Sequence, residues 1–189
     1  VLDQTSSSEV QYIQTLTATG STEISDFYTG TDSVIVVKTS TGEVVNVKAQ
    51  NMTDTSGLTA LSAVTASDMV SGRTYKISTT ADLEKLATIV NGGTSCSGVT
   101  FVMSNDIDLS GVANWTAIGG KIGTTTCAFS GTFDGNGYEI SGLTINASTL
   151  YQGLFGYTDG ATIKNLGLTG VNITSTATYV GALVGNAKN

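Results

Sequence analysis

Ile140-Ser141-Gly142-Leu143-Thr144-Ile145 returns as Ile163-Lys164-Asn165-Leu166-Gly167-Leu168, an offset of 23 residues. Tyr151-Gln152-Gly153-Leu154-Phe155-Gly156 returns as Tyr179-Val180-Gly181-Ala182-Leu183-Val184-Gly185, an offset of 28. Unequal spacings in the twenties are expected of successive turns of one solenoid with variable loops, not of identical modules. Within a block, Ile140, Leu143 and Ile145 point inward at near-alternate positions, with an irregularity at Gly142. One such turn cannot bury its inner face alone, whereas stacking on a neighbour does. From about Thr100 onward the predicted architecture is therefore all-β, one solenoid of short strands stacked turn on turn. Gly153, Gly156, Gly181 and Gly185 mark corners, where glycine permits positive φ or close backbone approach. Asp134-Gly135-Asn136-Gly137 is a further turn, between Phe133 and Tyr138.

Upstream of this region one helix is predicted over 80–91. Thr80 is the expected N-cap, Asp82 lies in the first turn, and Gly92-Gly93 ends the run. Leu83, Leu86, Ala87 and Val90 fall on one face. A single amphipathic helix before a series of short strands can cover the apolar N-terminal end of the stack. Gly119-Gly120-Lys121-Ile122-Gly123 reads as a loop between turns of the solenoid. Further upstream, Arg73–Ser78 suits a strand and 50–72 a connector. Val34–Lys38 and Glu43–Lys48, separated by Thr39-Ser40-Thr41-Gly42, suit a hairpin. Residues 10–16 alternate weakly enough for one more strand. The division expected is a small β module with its connector over 1–74, and the solenoid with its capping helix over 75–189.

Composition agrees with this reading. The chain has 189 residues, 40% of them hydrophobic, which excludes general disorder. Charged residues make up only 12%, so Thr and Ser supply much of the polar surface, and Thr is β-branched and fits a pleated sheet. With 23 glycines and no proline, the chain is turn-rich and all-β in character. A net charge of −7 argues against nucleic acid and against anionic membrane surfaces. No apolar run approaches the length of a membrane span, so membrane insertion is not expected. The start at Val1-Leu2-Asp3, with neither initiator Met nor signal peptide, suggests a processed protein or an excised domain.

No residue pattern points to catalysis. The chain contains no histidine and a single arginine, Arg73, outside the solenoid. Ser-based nucleophile arrangements therefore lack a base, and a zinc site lacks its usual ligands. Calcium is the one cofactor worth weighing, through Asp106, Asp108 and Asp134. These match neither an EF-hand nor a nine-residue calcium repeat, and acidic turn residues more often bond the local backbone. Asp106 and Asp108 are also the closest approach to a pair of glycosidase carboxylates. Cys96 and Cys127 suit one disulfide in an oxidising compartment, worth about 3–4 kcal/mol on the chain-entropy model; the alternative is two buried thiols. Among the aromatics, Trp115, Tyr138, Tyr151, Tyr157 and Tyr179 could stack on sugars if exposed in a row, and Trp115, Tyr151 and Tyr179 are the candidate ligand contacts. Tyr151 and Tyr179 occupy equivalent places in successive turns. A stacked ladder at the edge of the solenoid is the competing explanation for them.

Several separate blocks resemble a known repeat. Phe129-Ser130-Gly131-Thr132-Phe133-Asp134-Gly135-Asn136-Gly137-Tyr138-Glu139-Ile140, then Gly153-Leu154-Phe155-Gly156 and Ile163-Lys164-Asn165-Leu166, look like the GLUG-type repeat. Ile77-Ser78-Thr79-Thr80-Ala81-Asp82-Leu83, Asn105-Asp106-Ile107-Asp108-Leu109-Ser110 and Trp115-Thr116-Ala117-Ile118-Gly119 match the entry region of the same family. The resemblance covers 75–189 only. It implies a right-handed β-helix of large bacterial surface and secreted proteins, among them adhesins and the non-catalytic parts of secreted proteases that cleave immunoglobulin A. It transfers no catalytic residues. The resulting expectation is a non-catalytic extracellular or cell-surface segment, a rigid stalk or interaction surface. Its partners would be a surface glycan or protein of a host or neighbouring cell, or like subunits in a filament. The alternative is a carbohydrate-binding module of a secreted protein.

Overall fold

In a computed structural model of the chain, residues 52–189 are described in full, and before them only three strands: β1 (Thr22–Phe27), β2 (Val34–Thr39) and β3 (Val44–Lys48). β1 pairs antiparallel with β2, and β2 antiparallel with β3 in continuous register from Val34↔Lys48 to Lys38↔Val44. This is the pairing the two β-branched runs predict. The strand suggested over 10–16, and the turn of the hairpin, lie outside the described residues.

The chain divides into two compact units, 1–52 and 53–189. Residues 53–74, expected to belong with the N-terminal module, thus fall within the second unit. The reason is pairing: β4 (Thr59–Ala60) lies parallel to β5 (Thr74–Ile77), and Leu61, just after β4, is fully buried.

The second unit is mostly strand with one helix, and most of its sheets are parallel. After β5 come α1 (Thr80–Asn91), β6 (Thr100–Met103) and β7 (Ile107–Asp108). A short antiparallel hairpin follows, β8 (Gly120–Ile122) with β9 (Thr125–Cys127). The supposed loop at Gly119–Gly123 is therefore half of a hairpin, whose turn Gly123 makes at φ 60°. Then come β10 (Thr132–Asp134), β11 (Glu139–Ser141), β12 (Thr144–Asn146) and β13 (Phe155–Asp159). Four more strands follow in the same order: β14 (Thr162–Lys164), β15 (Gly167–Thr169), β16 (Asn172–Thr174) and β17 (Val184–Lys188).

Pairing between these two quartets is cyclic and parallel: β10 with β14, β11 with β15, β12 with β16, β13 with β17. β6 and β7 lie on the far side of β10 and β11, and β5 lies beyond β6. The register corrects one sequence reading. Ile140 stands beside Leu168, 28 residues on, and Phe133 beside Ile163, 30 residues on. The apparent 23-residue repeat compares strands of two different sheets, because the same Ile-x-x-Leu-x-aliphatic spacing arises wherever one short strand follows another around a corner. The 28-residue repeat is the structural one, with Gln152 bridged to Val180.

Each pass sends its apolar residues to a common core. Ile140, Leu143 and Ile145 are all buried, and Gly142, at φ 71°, supplies the expected irregularity between them. Tyr75, Phe101, Phe129 and Phe155 form a run of rings with centroids 6.3, 5.9 and 5.1 Å apart, and Phe133 meets Phe155 edge-on at 5.3 Å. Ring pairs at these separations add attraction beyond their burial.

The helix has the predicted limits, but its N-cap is Thr79, one residue earlier than expected. Thr79 accepts from the Asp82 N–H, and the Asp82 carboxylate accepts from the Thr79 N–H, closing a capping box. Asp82 does more than cap. Only 1% exposed, it also accepts from the backbone N–H of Ser78 (2.9 Å) and of Ser62 (2.8 Å). One carboxylate thereby joins the helix start to the end of β5 and to the turn after β4. At the other end of the helix, Asn91 donates to the Ala117 carbonyl and accepts from the Gly119 N–H.

Gly119, Gly156 and Gly185 form a column in successive passes. A Cβ on Gly156 would strike the Gly119 carbonyl oxygen, and one on Gly185 would lie 2.8 Å from the Gly156 oxygen. Close approach, not positive φ, is why Gly156 and Gly185 are glycine. Gly156→Ala should cost about 2–3 kcal/mol in urea unfolding, because the obstructing atom is backbone. Gly111→Ala, where a Cβ meets nothing within 4 Å, should change stability by less than about 0.5 kcal/mol.

Candidate functional site

The acidic residues considered for calcium or for catalysis all have protein partners. Asp108 accepts from both the backbone N–H and the hydroxyl of Ser110, which hold its carboxyl below the usual range. Asp106 accepts from the Glu139 N–H at 2.8 Å. Asp134 is nearly buried. It accepts from the Asn136 N–H and the Asn165 side-chain amide, and pairs with Lys164 at 3.2 Å. Asp134 and Lys164 are register partners on β10 and β14; Asp159 and Lys188, at 3.0 Å, are register partners on β13 and β17. Both ion pairs thus join an acid in one pass to a lysine directly opposite in the next. Among the described residues, no group of three Asp, Glu, Cys or His side chains is placed to hold a metal ion, and no buried side-chain nitrogen or oxygen lacks a hydrogen-bond partner.

The expected Cys96–Cys127 disulfide is absent: both are free, buried thiols. They serve separate places in the fold. The Cys96 thiol lies 3.5 Å from the Thr94 carbonyl, in a turn where Cys96 itself has φ 59°. The Cys127 thiol lies 3.4 Å from the Asn91 carbonyl at the end of the helix. Two cysteines in a Thr-rich chain say nothing about their separation, and the fold decides it. Burial pushes the Cys96 thiol up to about 12. In a Cys127→Ser variant, Cys96 should therefore react with a thiol reagent at pH 8 about 1,000-fold more slowly in the native protein than after unfolding, since reaction requires the thiolate. A colorimetric thiol assay with and without guanidinium measures that ratio.

The three candidate aromatics separate. Trp115 is only 3% exposed, and its indole N–H donates to the Leu154 carbonyl at 3.1 Å. It is therefore not a ring of an exposed row, although its edge lines both neighbouring grooves. Tyr151 and Tyr179 do stack, with centroids 5.2 Å apart and planes 24° from parallel. Both occupy the left-handed region, at φ 68° and 67°. A non-glycine residue there is uncommon, and its recurrence at equivalent corners keeps the two rings in line. Tyr157, in the same pass, also meets Tyr151, at 5.2 Å with its ring plane tilted by 52°. Tyr151 thus touches two rings and is half-buried, whereas Tyr179 is 48% exposed.

Two grooves adjoin this region. One of about 610 Å³ lies between α1 and the segment before β8, lined by Glu84, Thr88, Asn91, Val112, Asn114 and Thr116 among others. A smaller one of about 220 Å³ shares Asn114 and Thr116 and runs to Thr149, Tyr151 and Gln152. Their linings are mainly uncharged amide, hydroxyl and apolar groups. Among the described residues, no helix is long and apolar enough to cross a membrane.

No family model matches the chain, and no solved structure does. Two curated proteins are similar in sequence. A Gly-rich membrane protein of Evansella cellulosilytica is 34% identical over 117 residues, covering 59% of this chain and 13% of that protein. A halomucin of Haloquadratum walsbyi is 29% identical over 143 residues, covering 69% of this chain and 2% of that protein. The chain therefore corresponds to a small part of the length of either relative.

Proposed function

We propose that residues 53–189 are a non-catalytic structural segment of a surface or extracellular protein: a right-handed parallel β-helix of GLUG type, with α1 as its N-terminal cap, acting as a rigid stalk or interaction surface. The observation that carries this reading is the cyclic parallel pairing of two strand quartets around one aromatic and aliphatic core. In such a stack every backbone group of a strand is bonded to the pass before or after it, which gives rigidity along one axis. The polar residues that could have been catalytic are instead hydrogen-bonded within turns or between passes. The relatives' names, a Gly-rich membrane protein and a halomucin, support placement at the cell surface. Binding of a surface glycan or protein, and assembly with like subunits, belong to the same proposal.

A second reading, a carbohydrate-binding module, is favoured by one observation, the exposed Tyr179 ring stacked on Tyr151, which lines the smaller groove. Against it, Tyr151 packs against Tyr157 and Tyr179 and Trp115 is buried, so these rings do not form one open row. A broad glycan array with the full chain distinguishes the two. The structural reading predicts no saturable binding that depends on Tyr179. Micromolar glycan binding that is lost in Tyr179→Ala would replace it with the second reading.

A further inference from the structure

The chain contains four Asn-x-Ser/Thr triplets: Asn51-Met52-Thr53, Asn114-Trp115-Thr116, Asn146-Ala147-Ser148 and Asn172-Ile173-Thr174. In a chain this rich in Ser and Thr such triplets arise by chance, so their number carries nothing; their placement does. The first begins outside the described residues. In the other three, the asparagine and the hydroxyl residue are exposed, while Trp115 is buried and Ala147 and Ile173 are half-buried. These three lie in successive passes on one face. The Trp115 N–H donates to the Thr144 carbonyl and the Asn146 N–H to the Asn114 side-chain oxygen, which joins the first triplet to β12. β12 in turn pairs with β16, with Asn172 beside Thr144 and Thr174 beside Asn146.

The asparagines divide by what their amide nitrogens do. Asn91, Asn105, Asn136 and Asn165 all donate from Nδ2 to protein oxygens, and none of them is followed two residues on by Ser or Thr. Among the described residues, no protein oxygen accepts from Nδ2 of Asn114, Asn146 or Asn172; the one side-chain bond in this set is the one Asn114 accepts through its oxygen. Asn186 and Asn189, which begin no triplet, donate to none either. The amides that carry the triplets on this face are therefore both exposed and unused by the fold.

We propose that Asn114, Asn146 and Asn172 are N-glycosylated, so that the face of β12 and β16 carries a row of glycans. The inference rests on the surface placement proposed above. The hydroxyl two residues on is what a glycosyl-transferring enzyme requires beside its acceptor asparagine. The donor is an oligosaccharide carried on a lipid diphosphate. Nδ2 forms a bond to the anomeric carbon of the first sugar, and the bond from that carbon to the diphosphate oxygen breaks. The lipid diphosphate leaves with the electron pair, and the proton lost from Nδ2 passes to a base of the enzyme. Register keeps the glycans apart. Asn146 and Asn172 each stand beside a threonine and not beside one another, which puts them about 8 Å apart where direct neighbours would be about 4.8 Å apart. Substitution at Nδ2 leaves the Asn114 oxygen free to keep its bond from the Asn146 N–H. Asn114 and Thr116 line both grooves, so a glycan on Asn114 stands at the rim of each.

Peptide mass spectrometry of the protein taken from the cells that make it tests this, with electron-transfer fragmentation to locate each glycan. Hexose- or hexosamine-containing glycans should be found on at least two of Asn114, Asn146 and Asn172. Unmodified asparagine at two or more of these positions would overturn the proposal. In the same cells, Thr174→Ala keeps Asn172 but removes the hydroxyl the enzyme needs, and should clear Asn172 of glycan while Asn114 and Asn146 stay as they were. A glycan persisting on Asn172 in that variant would also count against enzymatic transfer to the triplet. Labelling intact cells with a membrane-impermeant amine reagent keeps this proposal separate from the surface reading. Labelled protein without glycans removes the proposal and leaves surface placement standing, whereas glycosylated protein that escapes the label removes surface placement alone.

Discussion

Phe129→Ala should lower stability by about 3–5 kcal/mol, among the largest losses available from one side chain in this fold. Phe129 is fully buried, with its ring 5.9 Å from Phe101 and 5.1 Å from Phe155. It also joins passes through the backbone: its N–H donates to the Tyr157 carbonyl, and its carbonyl accepts from the Asp159 N–H. Truncation leaves a cavity the backbone cannot collapse, because hydrogen bonds on either side fix the spacing of the passes. Phe129→Leu, which refills most of the volume, should cost less than about half as much. Urea-unfolding midpoints of the two variants measure the difference. Equal losses would mean that the ring column is not what the site requires.

Asp82→Ala should have the second large effect, about 2–4 kcal/mol, because three backbone N–H groups lose one shared acceptor. The effect should depend on pH. Burial pushes the Asp82 carboxyl up, but hydrogen bonds from Ser78, Ser62 and Thr79 together outweigh it and hold the group below its ordinary value. A depressed folded pKa stabilises the protein fully above the unfolded value of about 4, and that stability is lost as pH falls through the folded value. The difference between wild type and Asp82→Asn should therefore be at its full size at pH 6–7 and shrink at pH below about 4. A difference independent of pH from 7 to 2 would show that the ionised carboxylate is not the anchor described here.

Much of the fold was legible, and the misses have identifiable causes. The helix was readable because its apolar face, its first-turn acid and its terminal glycines all agree. Its cap was misplaced by one residue between two adjacent threonines. Thr79-x-x-Asp82 is the capping-box spacing, so the deciding signal lay at that spacing and not in either threonine alone. The pass-to-pass register was harder. Strands of three residues carry too little alternation to fix a partner, so the aliphatic spacing at 140 and 163 matched across two different sheets. The tyrosine blocks, with their glycines, carried the true offset of 28. Trp115 is a candidate ligand contact on the sequence alone because nothing local reports the direction of its ring. Its burial depends on Leu154, distant in sequence, which accepts its N–H. The cysteines depend in the same way on which passes bring them near, and the fold places them against different carbonyls.

The central claim is that successive passes stack in parallel, with β11 on β15 at an offset of 28 residues. Cysteine cross-linking tests it most directly, in a chain with Cys96→Ser and Cys127→Ser. Ser141 on β11 stands beside Thr169 on β15. Lys164 is the residue that would oppose Ser141 if the passes stacked at the 23-residue offset. Under mild oxidation, Ser141→Cys with Thr169→Cys should form a disulfide almost completely and without loss of stability, while Ser141→Cys with Lys164→Cys should remain reduced. Efficient cross-linking of the 141–164 pair, with none between 141 and 169, would contradict the stacking on which the account depends.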